Sequence, residues 1–169
     1  AEYGMPLTGL ESIVSQVHEY FEGEDAAREK ALSLSREVIR ISSTAIKHVH
    51  RGEFQEAQTL IDENLQLTQD LVQSVRDYDD LRAAGFVVDA LKEHAEAMIT
   101  YAVVLRLPLP PLDTPGLDAA SYVNGLAEAV GELRRNVLDN IRHGNVEVSE
   151  ELLDDMDEAY YTLVAFDFP

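Results

Sequence analysis

Between Pro6 and Pro108 the chain contains no proline, and the glycines in that interval stand singly at 9, 23, 52 and 85. Nothing else in the sequence restricts the fold so strongly. Proline breaks helices and glycine weakens them, so the interval reads as long helices with short joints. Few β-branched runs alternate with period two, and the spacing predicts helices near 8–22, 25–51, 54–80, 81–106, 118–143 and 149–166. Pro108, Pro110, Pro111 and Pro115 make 107–117 a stiff crossover loop inside a single domain spanning 1–169. Thr8, three residues before Glu11, and Ser149, before Glu150 and Glu151, read as helix N-caps. The expected class is all-α, a bundle of six to seven helices.

Thirteen basic residues face 32 acidic ones, a formal charge of −19 that argues against a general binder of nucleic acid or anionic membrane. The lack of cysteine removes disulfides, thiolate metal ligands and thiol nucleophiles. No apolar run approaches the roughly 18 residues a membrane span needs, and no export signal is visible at the N-terminus. The expectation is a cytoplasmic protein without a membrane partner. Only Lys30, Lys47 and Lys92 are lysines, and this acidic, lysine-poor composition resembles proteins of halophilic archaea. The chain begins without Met and stops just after an apolar helix, which predicts residues beyond these ends.

One window departs from the acidic background. Arg28 to Arg51 holds six basic and two acidic residues, a net +4, leaving −23 on the other 145 residues. On a helical wheel Arg36, Arg40, Lys47 and Arg51 share one sector with Ser43 and His50, while Leu34, Val38, Ile41, Ala45 and Val49 lie opposite. A solvated face explains such a stripe in an ordinary protein. In a chain that avoids cations elsewhere, the alignment points to phosphate recognition.

Glu93 and Glu96 lie in a segment that is apolar nearly all round, from Ala83 to Leu105, which predicts a central, buried helix. Their spacing of three puts both carboxylates on one face, where burial demands a cation or a proton. Glu128 and Glu132 share a face of a second helix whose opposite side carries Val123, Leu126, Val130, Leu133, Val137 and Ile141. Four carboxylates from two packed helices suit Mg²⁺ or Mn²⁺, hard ions that leave positions for water and phosphate oxygen. Salt bridges such as Glu132 with Arg135 are the structural alternative. There is no E-x-x-H pair, so the di-iron bundle pattern is absent.

The stretches Arg36-Glu37-Val38-Ile39-Arg40, His50-Arg51-Gly52-Glu53-Phe54 and Tyr122-Val123-Asn124-Gly125-Leu126-Ala127-Glu128-Ala129-Val130-Gly131-Glu132-Leu133-Arg134-Arg135 resemble the translin and Trax family. The resemblance runs from about residue 25 to the end. It implies an all-α fold of about seven helices and a closed homo-oligomer, commonly an octamer, enclosing single-stranded RNA or DNA against inward basic residues. Lys92-Glu93-His94-Ala95-Glu96-Ala97 is similar to the Q-E-Y-x-E-A pattern of Trax, and Ala127 to Leu133 to its A-D-L-T-G-E-L pattern. On that likeness Glu93, Glu96, Glu128 and Glu132 are expected as metal ligands and catalytic acids of a Mg²⁺- or Mn²⁺-dependent endoribonuclease. Arg36, Arg40, Lys47, His50 and Arg51 are expected to bind the backbone. Glu128 stands where Trax has Asp, and a translin-like protein that binds RNA or single-stranded DNA without cutting it is the alternative.

Overall fold

The computed structural model describes residues 7–166, and every described helix is an α-helix. The first two expected helices are continuous as α1 (Leu10–Arg51), because Gly23 does not interrupt the turn. A lone helical glycine costs only about 1 kcal/mol, and here the Tyr78 hydroxyl occupies the space where a side chain at 23 would begin. Tyr78 also stacks edge-on against Tyr20, with ring centroids 5.4 Å apart.

α2 (Phe54–Ser74) ends six residues earlier than the expected boundary at residue 80. Val75 and Leu81 both turn into the core there, and the chain passes through the single turn α3 (Asp79–Arg82) before α4 (Gly85–Val104). The Pro-rich crossover follows as expected, and the Tyr122 hydroxyl donates to the Pro110 carbonyl (2.8 Å). α5 (Ala119–Arg142) is capped by Asp118, whose carboxylate accepts from the Ser121 amide at 2.7 Å. α6 (Val146–Val164) starts before Ser149, which is therefore not a cap. Its buried hydroxyl instead donates to the Asn145 carbonyl at 3.0 Å. Thr8 is not a cap either, since α1 starts after Gly9 with no side-chain cap.

α1 packs on α2 and α4, α4 on α5, and α5 on α6. α4 is thus the central helix, as its apolar circumference requires, and it buries Val87, Ala90, Leu91, Ala95, Ala97, Ile99 and Ala102. Val38, Leu71, Val75 and Leu81 close on one side of it, and Ala129 of α5 on the other. A polar layer crosses this core. The Asn64 amide donates to Ser42 Oγ (2.8 Å) and to the Val38 carbonyl (3.3 Å), and lies 3.3 Å from His94 Nδ1. Burial holds the His94 imidazole neutral, its pKa lowered to about 4. Beyond the bundle, α1 leaves an apolar stripe of Leu10, Ile13, Val14, Val17 and Phe21 exposed. Among the described residues no helix is long and apolar enough to cross a membrane.

Candidate functional site

The basic stripe runs down the outer face of α1. Arg36, Arg40, Lys47 and Arg51 are all exposed, opposite the buried line Val38, Ile41, Ala45 and Val49. Arg40 is partly occupied, with Nε 3.0 Å from Glu37 Oε2 and Nη2 2.5 Å from Oε1. That hydrogen-bonded pairing lowers the Glu37 pKa and raises that of Arg40. Arg36, Lys47 and Arg51 have no ion-pair partner among the described residues.

His50 shares the sector but not the environment. Its side chain is only 5% exposed, and its Nε2 lies 2.5 Å from Glu132 Oε2. A carboxylate oxygen accepts, so Nε2–H donates; the buried Nδ1 has no hydrogen-bond partner. His50 therefore joins the last turn of α1 to the carboxylates of α5 instead of facing outward with the four cations.

The four carboxylates come from α4 and α5. What lets these helices approach is Gly125, where a Cβ would lie 2.6 Å from Ala95 Cβ and 2.9 Å from the Glu96 amide nitrogen. Close packing at that point brings Glu96 against the face of α5 that carries Glu128 and Glu132. Glu96 is 7% exposed, and its pKa is pushed up to about 8. Burial is the largest cause, followed by the charges of Glu93, Glu132 and Glu128 and a hydrogen bond with Glu93. Glu93 and Glu132 are half-buried and Glu128 is exposed, so the set opens from a buried carboxyl to solvent.

Sequence reading singled out these carboxylates but missed Lys92 beside them, one of only three lysines in the chain. Its Nζ lies 3.9 Å from Glu93 Oε1 and 3.8 Å from Glu128 Oε1. The salt bridge expected between Glu132 and Arg135 is not formed; Glu132 pairs with His50. As the side chains stand, no three His, Asp or Glu residues among those described are gathered closely enough to hold a metal ion. The donor set nonetheless fits one in charge and type. Three carboxylates beside a fourth, kept protonated by burial and by their charge, make an oxygen-rich, negative set with the Lys92 ammonium at its edge.

No family model matches the chain. It is 27% identical over 154 residues to an uncharacterized protein of Methanocaldococcus jannaschii, a match covering 88% of this chain and 67% of that protein. Among solved structures it is similar to AfC3PO bound to duplex RNA, with a TM-score of 0.84 and 28% identity over 92% of this chain and 81% of that one. AfC3PO alone gives a TM-score of 0.85 at the same identity and coverage. Apo-NeC3PO gives 0.83 at 20% identity, covering 98% of this chain and 86% of that one. The chain thus has the translin/C3PO fold.

Proposed function

We propose that this chain is a Trax-like, metal-dependent endoribonuclease that binds RNA in a homo-oligomer, on the fold it shares with the C3PO structures. The observation that carries the reading is Glu96, a carboxyl buried where α5 approaches α4 at Gly125 and kept protonated by that burial and by the charges of Glu93, Glu132 and Glu128. Such a placement destabilises the free protein and is hard to explain as packing alone. Glu93, Glu96, Glu128 and Glu132 would hold Mg²⁺ or Mn²⁺, which when bound supplies water activation and charge stabilisation at a phosphodiester. Lys92 and His50 hold the carboxylates in place, and Arg36, Lys47 and Arg51 take the backbone phosphates. Arg40 must exchange Glu37 for a phosphate to join them.

Phosphate contacts weaken steeply with salt, and −23 outside the stripe repels RNA from the rest of the surface. Binding is therefore confined to the stripe and the carboxylate face, and enclosure by further copies would strengthen it in the salty cytoplasm that the composition suits. The uncovered stripe of α1, from Leu10 to Phe21, supports such assembly. Charge reversal of Arg40 and Lys47 together abolishes RNA binding at matched salt; retained affinity in a filter-binding titration removes the stripe from the mechanism.

AfC3PO is seen with duplex RNA, so both labelled single-stranded and duplex RNA belong in the cleavage assay, with Mg²⁺, Mn²⁺ or chelator. The expected result is metal-dependent cutting of single strands, lost in Glu128→Ala by a factor of about 100 or more while binding persists. The second reading, RNA or single-stranded DNA binding without cutting, is favoured by Lys92 already spanning Glu93 and Glu128. Binding without cutting under every condition establishes that reading and makes the carboxylates structural.

A further inference from the structure

Outside the α1 window the chain has seven basic residues, and ion pairs occupy most of them. Arg76 is paired with Asp77, Arg82 with Asp79, Lys92 with Glu93 and Glu128, and Arg106 with Glu151 and Asp155. Arg142 lies 3.4 Å from Asp139. Two remain: Arg134 and Arg135, consecutive on α5, both exposed and without an ion pair among the described residues. In a chain with 32 carboxylates, two adjacent unpaired guanidinium groups are as conspicuous as the α1 stripe. They line one shallow surface depression with Gly131, Leu138, Asp139 and Arg142.

Gly131 supplies a second, independent observation. It lies in the interior of α5, where glycine costs about 1 kcal/mol relative to alanine. Gly125, two turns earlier, is required by the approach of α4, but a Cβ at Gly131 would meet nothing within 4 Å. No packing inside the chain asks for glycine there. It leaves the helix backbone bare one turn after Glu128 and one turn before Arg134 and Arg135, where an outside backbone can come close.

We propose that Gly131, Arg134 and Arg135 form a second contact surface for the RNA backbone, beyond Glu132 along α5 and separate from the α1 stripe. The proposal rests on the RNA reading above and gives that site a direction. Lys47 and Arg51 flank His50, His50 touches Glu132, and Arg135 lies about 4.5 Å further along the α5 axis at 1.5 Å per residue. A strand held at both ends crosses Glu132 between two sets of cations. Its scissile phosphate is then fixed by the contacts on either side, as catalysis by positioning requires. RNA suits the surface because adjacent guanidinium groups pair with phosphate oxygens, and a strand bound at the α1 stripe carries its own backbone past Glu132 to them.

The test is RNA affinity against salt for the full chain, with Arg134→Ala/Arg135→Ala, Arg134→Lys/Arg135→Lys and Gly131→Gln beside wild type. Arg142 is left in place so that Asp139 keeps its partner. The alanine pair is expected to bind about tenfold more weakly at low salt, with a slope of log affinity on log salt shallower by about 1.4, two single-strand contacts at about 0.7 each. The lysine pair keeps the slope. Gly131→Gln is expected to match or exceed wild type in thermal stability yet bind about tenfold more weakly, a split that a structural role for Gly131 would not produce. Wild-type affinity and slope in the alanine pair, with wild type itself binding RNA, overturn the second surface and leave the RNA reading intact. A wild-type chain that binds no RNA overturns both. Variants that fall apart into smaller assemblies overturn the proposal by assigning the surface to a second copy of the chain.

Discussion

In chelator at pH 8.5, Glu96→Gln unfolds at higher urea concentration than wild type, by on the order of 4 kcal/mol. The reason is the proton that the wild-type core holds at lower pH and has largely lost at pH 8.5, leaving a buried charge. Glu96 has a folded pKa of about 8 against an ordinary value of 4.5, so the folded state binds that proton more tightly than the unfolded one. The associated stability is complete below about pH 4.5 and is lost as pH rises through 8, at about 1.4 kcal/mol per unit. Glutamine has no proton to lose, so the variant escapes this decline. His94 works in the opposite sense and in a lower window. Its folded pKa of about 4 against 6.5 means that stability is present above 6.5 and is lost as pH falls through 4. The two slopes oppose each other between 4.5 and 6.5, which leaves the interval from 6.5 to 8 to Glu96. In the wild type, Mg²⁺ or Mn²⁺ is expected to restore much of the alkaline loss by binding the folded carboxylates. Glu96→Gln loses both that response and RNA cleavage. Equal stability of the two proteins at pH 8.5 in chelator would show that the four carboxylates do not repel one another in the folded chain.

Much of this site was legible from the residues alone, and its gaps have physical causes. The apolar circumference of α4 announced a buried helix, and the spacing of Glu93 and Glu96 put two carboxylates on one side of it. Spacing could not say which of them is inside. That depends on where α5 approaches, and Glu96 is 7% exposed while the Glu93 side chain is 29% exposed. The wheel likewise grouped His50 with the cations of α1, since sector is all a wheel reports. Its partner Glu132 lies 82 residues away, across a helix contact that no local pattern encodes. Arg40 and Glu37, three apart, are a pair that local spacing does predict. The α1 boundary failed because Gly23 looked like a joint, although its lack of a side chain serves Tyr78 from beyond α2. Lys92, Arg134 and Arg135 were visible as rare cations. Their significance emerges only once the partners of the other basic residues are known.

Gly125→Ala makes the sharpest test of how the fold builds the site. On helix propensity alone the change should stabilise α5 by about 1 kcal/mol. The new Cβ, however, would lie 2.6 Å from Ala95 Cβ, 2.9 Å from the Glu96 amide nitrogen and 3.1 Å from the Ala95 carbonyl carbon. Two of those three atoms are backbone of a helix packed on both sides, so no side-chain rotation relieves the clash, and α4 and α5 must move apart. Overpacking of this kind costs about 1–3 kcal/mol, enough to reverse the propensity gain. The expected outcome is a lower melting temperature. Because the displaced residues include Glu96 itself, the same change draws it away from Glu128 and Glu132. The Gly125→Ala protein should therefore lose part of the stability decline between pH 6.5 and 8, even though all four carboxylates remain in the sequence. Unchanged melting together with an unchanged pH slope would show that the α4–α5 contact does not set the carboxylate geometry. Destabilisation with a flattened slope would tie the acid–base character of Glu96 to the absence of one methyl group on the neighbouring helix.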